Sequence, residues 1–261
     1  INFYIQYSLN DYEYEELEKK VRPLAERIET FQMLVEKIGV GGVVWRFDPL
    51  ILTDKIGVDE LLRKIENIGD QLKGYTERFV FSFADIEEYR KVKSNLTKSY
   101  IPYRLWDEEQ MNQMASGISK LNRKWGYTIG TCGEKIDITP YGIVHNRCID
   151  GDLIVQRGYQ DKVLMNHMKV NIEKAEPTLF GEAQIPVGAT CLPNGQYFMS
   201  VHKKDPGQRQ LCGCMAAKDI GEYNTCIHQC EYCYANTSKE IATSNYQRHS
   251  VNPFAETITG K

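Results

Sequence analysis

The chain has no long apolar run. Nothing in its 261 residues approaches the ~20 apolar residues of a membrane-crossing helix, and no secretory leader is recognisable. It lacks a charge excess too. The formal net charge is −3, so no global basic field gathers nucleic acid, although a small basic patch at a cavity mouth is compatible with that balance. No Walker loop, GxGxxG, GxSxG or HExxH string is present, which removes the commonest nucleotide, esterase and zinc-protease signatures. His145, His167 and His202 show no H-x3-H spacing. Repeats and low-complexity tracts are missing as well. The chain opens Ile1-Asn2 without a methionine and runs straight into a strand-like segment, so native residues are expected upstream.

Cysteine is what the sequence has. Of eight cysteines, five fall between positions 212 and 233. A secreted disulfide framework belongs to short chains with weak cores, whereas 42% of this long chain is hydrophobic. The clustering points instead to a metal or cluster in a reducing cytosol, and a cytoplasmic location is expected.

The densest stretch is Cys226-Ile227-His228-Gln229-Cys230-Glu231-Tyr232-Cys233, a C-x3-C-x2-C string. It puts three thiols around one point without a second segment. Three thiolates can hold three corners of a cubic iron–sulfur cluster and leave the fourth open. The spacing matches neither the usual ferredoxin run nor paired zinc knuckles. Tyr232, beside the third thiol, is placed to pack over a bound adenine or to shield a cluster from water. His228 is read as a hydrogen-bonding or surface residue. Cys212-Gly213-Cys214 is a second thiol pair, and Cys132 with Cys148 would complete a four-thiolate site, a second cluster or a structural zinc. Cys191 is left over. Cys148 and Cys191 are equally readable as plain buried thiols. Lys203, Lys204 and Arg209 form a modest basic cluster, read as a solvated loop.

Upstream, strands and helices alternate. Strands are expected over 3–9, 43–47, 78–83 and 127–131, with helices over 23–38, 58–72, 86–96 and 108–125. That alternation argues for parallel βαβ units in a barrel-like or doubly wound sheet. After Cys132 the periodicity fades. The division expected is a βα core over 1–132 and a Cys-rich, cluster-binding region over 133–261, ordered more by bound clusters than by a core.

Strand C-terminal ends carry the sites of such folds. Gln6, Ser8 and Asn10 lie on or just after the first strand, Arg46 and Asp48 on the second, Ser82 and Asp85 at the end of the third, Cys132 at the end of the fourth. Arg46 and Asp48 alternate, so both point to one side. An arginine inside an apolar strand needs a partner or a polar cavity. It either stiffens the strand end by pairing with Asp48 or serves a pocket.

The thiol string, with an aromatic before its last cysteine, resembles the cluster motif of the radical S-adenosylmethionine (SAM) superfamily. The longer stretch 219–236, together with Trp45-Arg46-Phe47-Asp48-Pro49, Gly74-Tyr75-Thr76-Glu77-Arg78 and Cys148-Ile149-Asp150-Gly151-Asp152, resembles the DUF1848 family. The resemblance spans nearly the whole chain. It implies two further strands upstream and hence six βα units, the partial (β/α) barrel typical of radical SAM enzymes. The order is permuted, because the thiol motif usually follows the first strand and here lies near the C-terminus. It also implies a [4Fe–4S] cluster on Cys226, Cys230 and Cys233, with SAM at the open iron. Gln6, Arg46, Asp48 and Tyr232 are the candidates for holding SAM or substrate. A reductant such as a ferredoxin or flavodoxin would be the partner, and reductive cleavage of SAM would start radical chemistry on a substrate the sequence does not name. Two other classes compete: a non-catalytic iron–sulfur carrier or redox sensor, and a zinc-stabilised binding module.

Overall fold

The computed structural model describes residues 2–175 and 185–260. Its centre is a five-stranded parallel sheet: β1 (Ile5–Ser8), β2 (Val43–Leu50), β3 (Arg78–Phe83), β4 (Thr128–Thr131) and β5 (Ile143–His145). The strands lie side by side in chain order, each parallel to the next. The register aligns Tyr7, Trp45, Phe79, Ile129 and Ile143 in one row across the sheet.

That row faces the helices. The crossovers are α1 (Leu24–Ile38), α2 (Val58–Leu72) and α4 (Glu108–Trp125), with α3 (Arg90–Lys98) between β3 and α4. Phe31, Leu61, Ile65, Met114 and Ile118 from these helices join Trp45, Phe47, Phe79 and Phe81 in one core. Trp45 stacks on Phe79 with ring centroids 4.1 Å apart, a pairing worth about 0.5–1.5 kcal/mol beyond area burial. Helices α2 and α4 meet closely because Gly69 has no side chain. A Cβ there would lie 2.4 Å from the Trp125 ring.

Because side chains alternate along a strand, the other face of the sheet carries the remaining positions. Val44 and Val80 pack there on Leu153 of α5 (Gly151–Gly158). Toward the strand C-terminal ends that face turns polar, with Gln6, Arg46, Asp48 and Ser82 in a connected set. With the α1, α2 and α4 crossovers packed on one face, the polar set lies on the opposite face.

All four expected strands are present. The helix expected from Ile86 begins at Arg90, because Ile86 is buried and the chain turns over Asp85 before coiling. The sheet also continues past Cys132 into β5. Three residues with only one buried side chain carry no readable period, which hid that strand. Beyond it lie α6 (Lys162–Met168), an antiparallel trio of β6 (Glu173–Lys174), β7 (Ala189–Cys191) and β8 (Gln196–Met199), and α7 (Lys239–Val251). Val155, Met165, Val170, Leu192 and Phe198 give this region a small core of its own. Among the described residues no helix is long and apolar enough to cross a membrane.

Candidate functional site

Arg46 is the hub of the polar face. Its side chain, little exposed, donates to Gln6 Oε1 and Asp48 Oδ2. Nη1 also reaches Cys148 Sγ at 2.9 Å, and Nη2 lies 3.6 Å from Cys132 Sγ. Burial opposes its charge, but Asp48 and the two thiols outweigh that and hold the guanidinium protonated. Of the two readings of Arg46, the structure shows the pairing with Asp48. Gln6 Nε2 and Tyr4 Oη both donate to the Cys148 carbonyl, fixing the thiol-bearing turn on the sheet. Ser82 Oγ donates to Asp48 Oδ1.

Cys132 and Cys148 face each other with sulfurs 3.0 Å apart. They come from consecutive parallel strands, just past the pairing of Thr131 with His145. Asn146 Nδ2 points at both sulfurs, 3.4 Å from Cys132 and 3.6 Å from Cys148. Gly130 makes room for Asn146, since a Cβ there would sit 2.9 Å from the Asn146 Cβ. The hydrogen bond from the Cys148 thiol, helped by Arg46 and Asn146 against the cost of burial, pulls Cys132 down to about 6. That same bond, with burial, pushes Cys148 up. The contact holds Cys132 as the more acidic of the two thiols.

Glu134 follows closely. It is buried and accepts the Phe83 N–H at 2.9 Å. Burial pushes it up to about 7, and Asp85, Asp48 and Cys132 add to that against the Phe83 bond. It lines a cavity of about 260 Å³ with Asp85, Gly133, Arg209 and Cys212. Sequence reading passed over Tyr4, Glu134 and Asn146. Their one signal was position, within three residues of a strand end.

The thiol loop docks at the same edge of the sheet. Glu231 N donates to Leu17 O at 2.8 Å and Lys20 N to His228 O at 3.2 Å. The Glu231 carboxylate is 1% exposed and ringed by Lys19 at 3.0 Å, Lys239 at 2.7 Å and Ser99 at 2.8 Å. Tyr232 drives its ring into the core beside Tyr12, centroids 6.0 Å apart. Its hydroxyl accepts from Asn10 Nδ2 at 2.8 Å and donates to Glu18. Asn10 Oδ1 in turn accepts the Asp48 N–H at 2.9 Å. The chain Tyr232–Asn10–Asp48 therefore ties the thiol loop to the polar face. The structure uses Tyr232 as an anchor.

Cys226 is exposed, while Cys230 and Cys233 are half-buried. Burial first, then Glu18, pushes the Cys230 thiol up to about 12, and the neighbouring Cys226 and Cys233 add to the rise. His228 hydrogen-bonds Cys226, lowering the thiol and raising the imidazole. Asn236 Nδ2 holds the Cys226 carbonyl at 2.8 Å, and Asn95 Nδ2 the Cys233 carbonyl at 3.1 Å.

A family model described as a domain of unknown function, DUF1848, matches residues 1–235, from the first strand through the last thiol of the loop. The chain belongs to the DUF1848 family. No curated protein and no solved structure matches it.

In this DUF1848 chain Cys212 and Cys214 hydrogen-bond each other next to the Cys148 turn, so these two thiols adjoin the Cys132–Cys148 pair. Cys214 is buried, with its sulfur accepting the Ile149 N–H at 3.5 Å, beside the Cys148 turn. Cys212 lines the Glu134 cavity. Cys191 is exposed on β7. Among the described residues no three His, Cys, Asp or Glu side chains are arranged to hold a metal ion. The thiol loop is suited to a cluster by the chemistry of its donors: three sulfurs from one anchored turn, near one another, two of them half-buried and Cys226 exposed.

Proposed function

We propose that this DUF1848 protein is an iron–sulfur enzyme of the radical SAM type, acting at the C-terminal edge of its parallel sheet. One observation carries the reading. Three thiols share one loop, and that loop is bolted by Glu231 and Tyr232 to the edge where Gln6, Arg46, Asp48 and Ser82 converge. A permuted partial (β/α) barrel is the fold that the strand order favours, because consecutive parallel strands with crossovers on one face curl toward closure.

In this reading Cys226, Cys230 and Cys233 hold a [4Fe–4S] cluster. Such a cluster supplies one-electron reduction of SAM, which the free protein lacks. The protein's own residues do the rest. His228, hydrogen-bonded to Cys226, stabilises negative charge on that sulfur. Arg46, fixed by Asp48 and Gln6, presents a permanent positive charge to a carboxylate of SAM or substrate. Tyr12, buried beneath the loop, and Tyr232, packed against it, exclude water from its inner side. Glu134, poised near neutrality, can hold or release a proton at the cavity wall. The electron comes from a ferredoxin- or flavodoxin-like partner, in keeping with a cytoplasmic setting.

Anaerobic purification tests this. A brown protein carrying iron and acid-labile sulfide, which forms 5′-deoxyadenosine from SAM and dithionite, is the expected result. Cys230→Ala should abolish that product. A brown protein that never turns over SAM leaves only an electron carrier or sensor. A colourless protein holding zinc removes the cluster altogether.

A further inference from the structure

We propose that Cys132 and Cys148 are a redox-active dithiol, closing reversibly to a disulfide by exchange with a disulfide substrate at the mouth of the Glu134 cavity. The dithiol does not use the three loop thiols, although it shares Arg46 with the function proposed above.

The spacing of the pair favours a dithiol over a second metal centre, with Cys212 and Cys214 lying alongside it. Two thiolates on one tetrahedral zinc, with Zn–S bonds of about 2.3 Å, stand about 3.8 Å apart. Cys132 and Cys148 are closer than that, at 3.0 Å. A guanidinium also occupies the place a cation would take, with Arg46 Nη1 2.9 Å from Cys148 Sγ and Nη2 3.6 Å from Cys132 Sγ. The sulfurs need only about 1 Å of further approach to reach bonding distance, roughly 2.0 Å. Both cysteines remain partly exposed. Gly133, next to Cys132, lines the cavity shared with Arg209 and Cys212, which gives a substrate its approach.

The step balances. The Cys132 sulfur attacks one sulfur of the incoming disulfide and expels its first thiolate, giving a mixed disulfide. The Cys148 sulfur then attacks Cys132 Sγ, breaks the mixed disulfide and expels the second thiolate. The two protons of the cysteines end on the two departing thiols. The chain is oxidised by two electrons and the substrate disulfide is reduced by two. Arg46, donating toward both sulfurs, stabilises negative charge on the attacking atom.

The test uses the full chain, purified without oxygen and equilibrated in buffers of reduced and oxidised glutathione, then acid-quenched, alkylated and digested. Mass spectrometry should find a peptide linking Cys132 to Cys148 whose yield follows the buffer ratio and reverses in excess reduced glutathione. Cys148→Ala should stop at a glutathione adduct on Cys132. Arg46→Gln should slow closure at least about tenfold. The proposal is overturned if both cysteines stay alkylatable in the most oxidising buffer. It is equally overturned if they resist alkylation until a chelator strips a metal from them.

Discussion

Two groups of cysteines sit along one edge of the sheet, and they are built in opposite ways. The loop thiols 226–233 are neighbours in sequence and are held in place from outside, by Glu231 in a ring of cations and by Tyr232 in the core. Cys132 and Cys148 are sixteen residues apart and meet because parallel pairing brings two strand ends together, under an arginine from a third strand. The first group owes its proximity to chain connectivity and its position to polar anchors. The second owes both to the fold. Loss of an anchor should therefore free the loop while sparing the pair, whereas a change within the sheet should do the reverse.

The largest effect is expected at Glu231. Glu231 is buried while Lys19 and Lys239 reach solvent, so losing its charged hydrogen bonds costs about 1.5–3 kcal/mol, and Glu231→Ala should lower the urea midpoint and loosen the loop without altering closure of Cys132 onto Cys148. The same carboxylate imposes a pH dependence. Burial works against its charge, but hydrogen bonds from Lys239, Lys19 and Ser99 prevail and hold its folded pKa below the unfolded value. A depressed acid contributes fully above its unfolded pKa, about 4.3, and the contribution fades as pH falls through the folded value. The wild-type midpoint should thus drop below about pH 5 more steeply than that of Glu231→Ala. Parallel acid profiles for the two proteins would remove Glu231 from its anchoring role.

What was legible in the sequence follows the same divide. The C-x3-C-x2-C loop and the four longer strands announce themselves through spacing and alternation, because both are local. Arg46 and Asp48 on one side of β2 were legible for the same reason. Glu231, inside the motif, carries no local signal of its role, and only the fold brings Lys19, Ser99 and Lys239 around it. The closeness of Cys132 to Cys148, the reach of Asn146 and the burial of Glu134 depend on the register of β3, β4 and β5, and β5 is too short to show a period. Fading of the pattern after Cys132 pointed to a region ordered by something other than a large core, and the core found there is small. The cluster around Phe198 draws on residues from 155 to 198, a range no local window spans.

The sheet side of the comparison is sharpened at Gly130. A methyl there meets Asn146 Cβ at 2.9 Å, and the backbone Val144 O lies 3.3 Å away. Overpacking of this kind costs about 1–3 kcal/mol. Gly130→Ala should lower stability by that much in a urea melt and displace Asn146 from the sulfurs. Disulfide yield at fixed glutathione ratio should fall, while any iron bound by the loop stays unchanged. Loss of iron together with the disulfide would mean that the two groups are one site.

A milder change acts on the loop side. Tyr232→Phe keeps the ring against Tyr12 but removes the hydroxyl that Asn10 and Glu18 share. The buried partners left behind should cost about 1–3 kcal/mol. Hydrogen exchange should quicken at residues 226–233 and stay slow in β2 and β3. Equal quickening in the strands would show that Asn10, which also holds the Asp48 N–H, passes the disturbance into the sheet.

Cys191 supplies the smallest effect and the control for both groups. It lies exposed on β7, in the antiparallel trio, with the Leu192 and Phe198 core beneath it. No arginine or asparagine is seen to donate to its sulfur among the described residues. Cys191→Ser should shift the urea midpoint by no more than about 0.5 kcal/mol equivalent. In oxidised glutathione the native Cys191 should form only a glutathione adduct, because no second sulfur is placed to resolve it. Exposure is then shared by Cys191 and Cys226, and chemistry follows from neighbours alone. If Cys191 instead turned up cross-linked to Cys132 or Cys148, the pairing under Arg46 would not be selective, and the contrast between thiols gathered by sequence and thiols gathered by the sheet would lose its meaning.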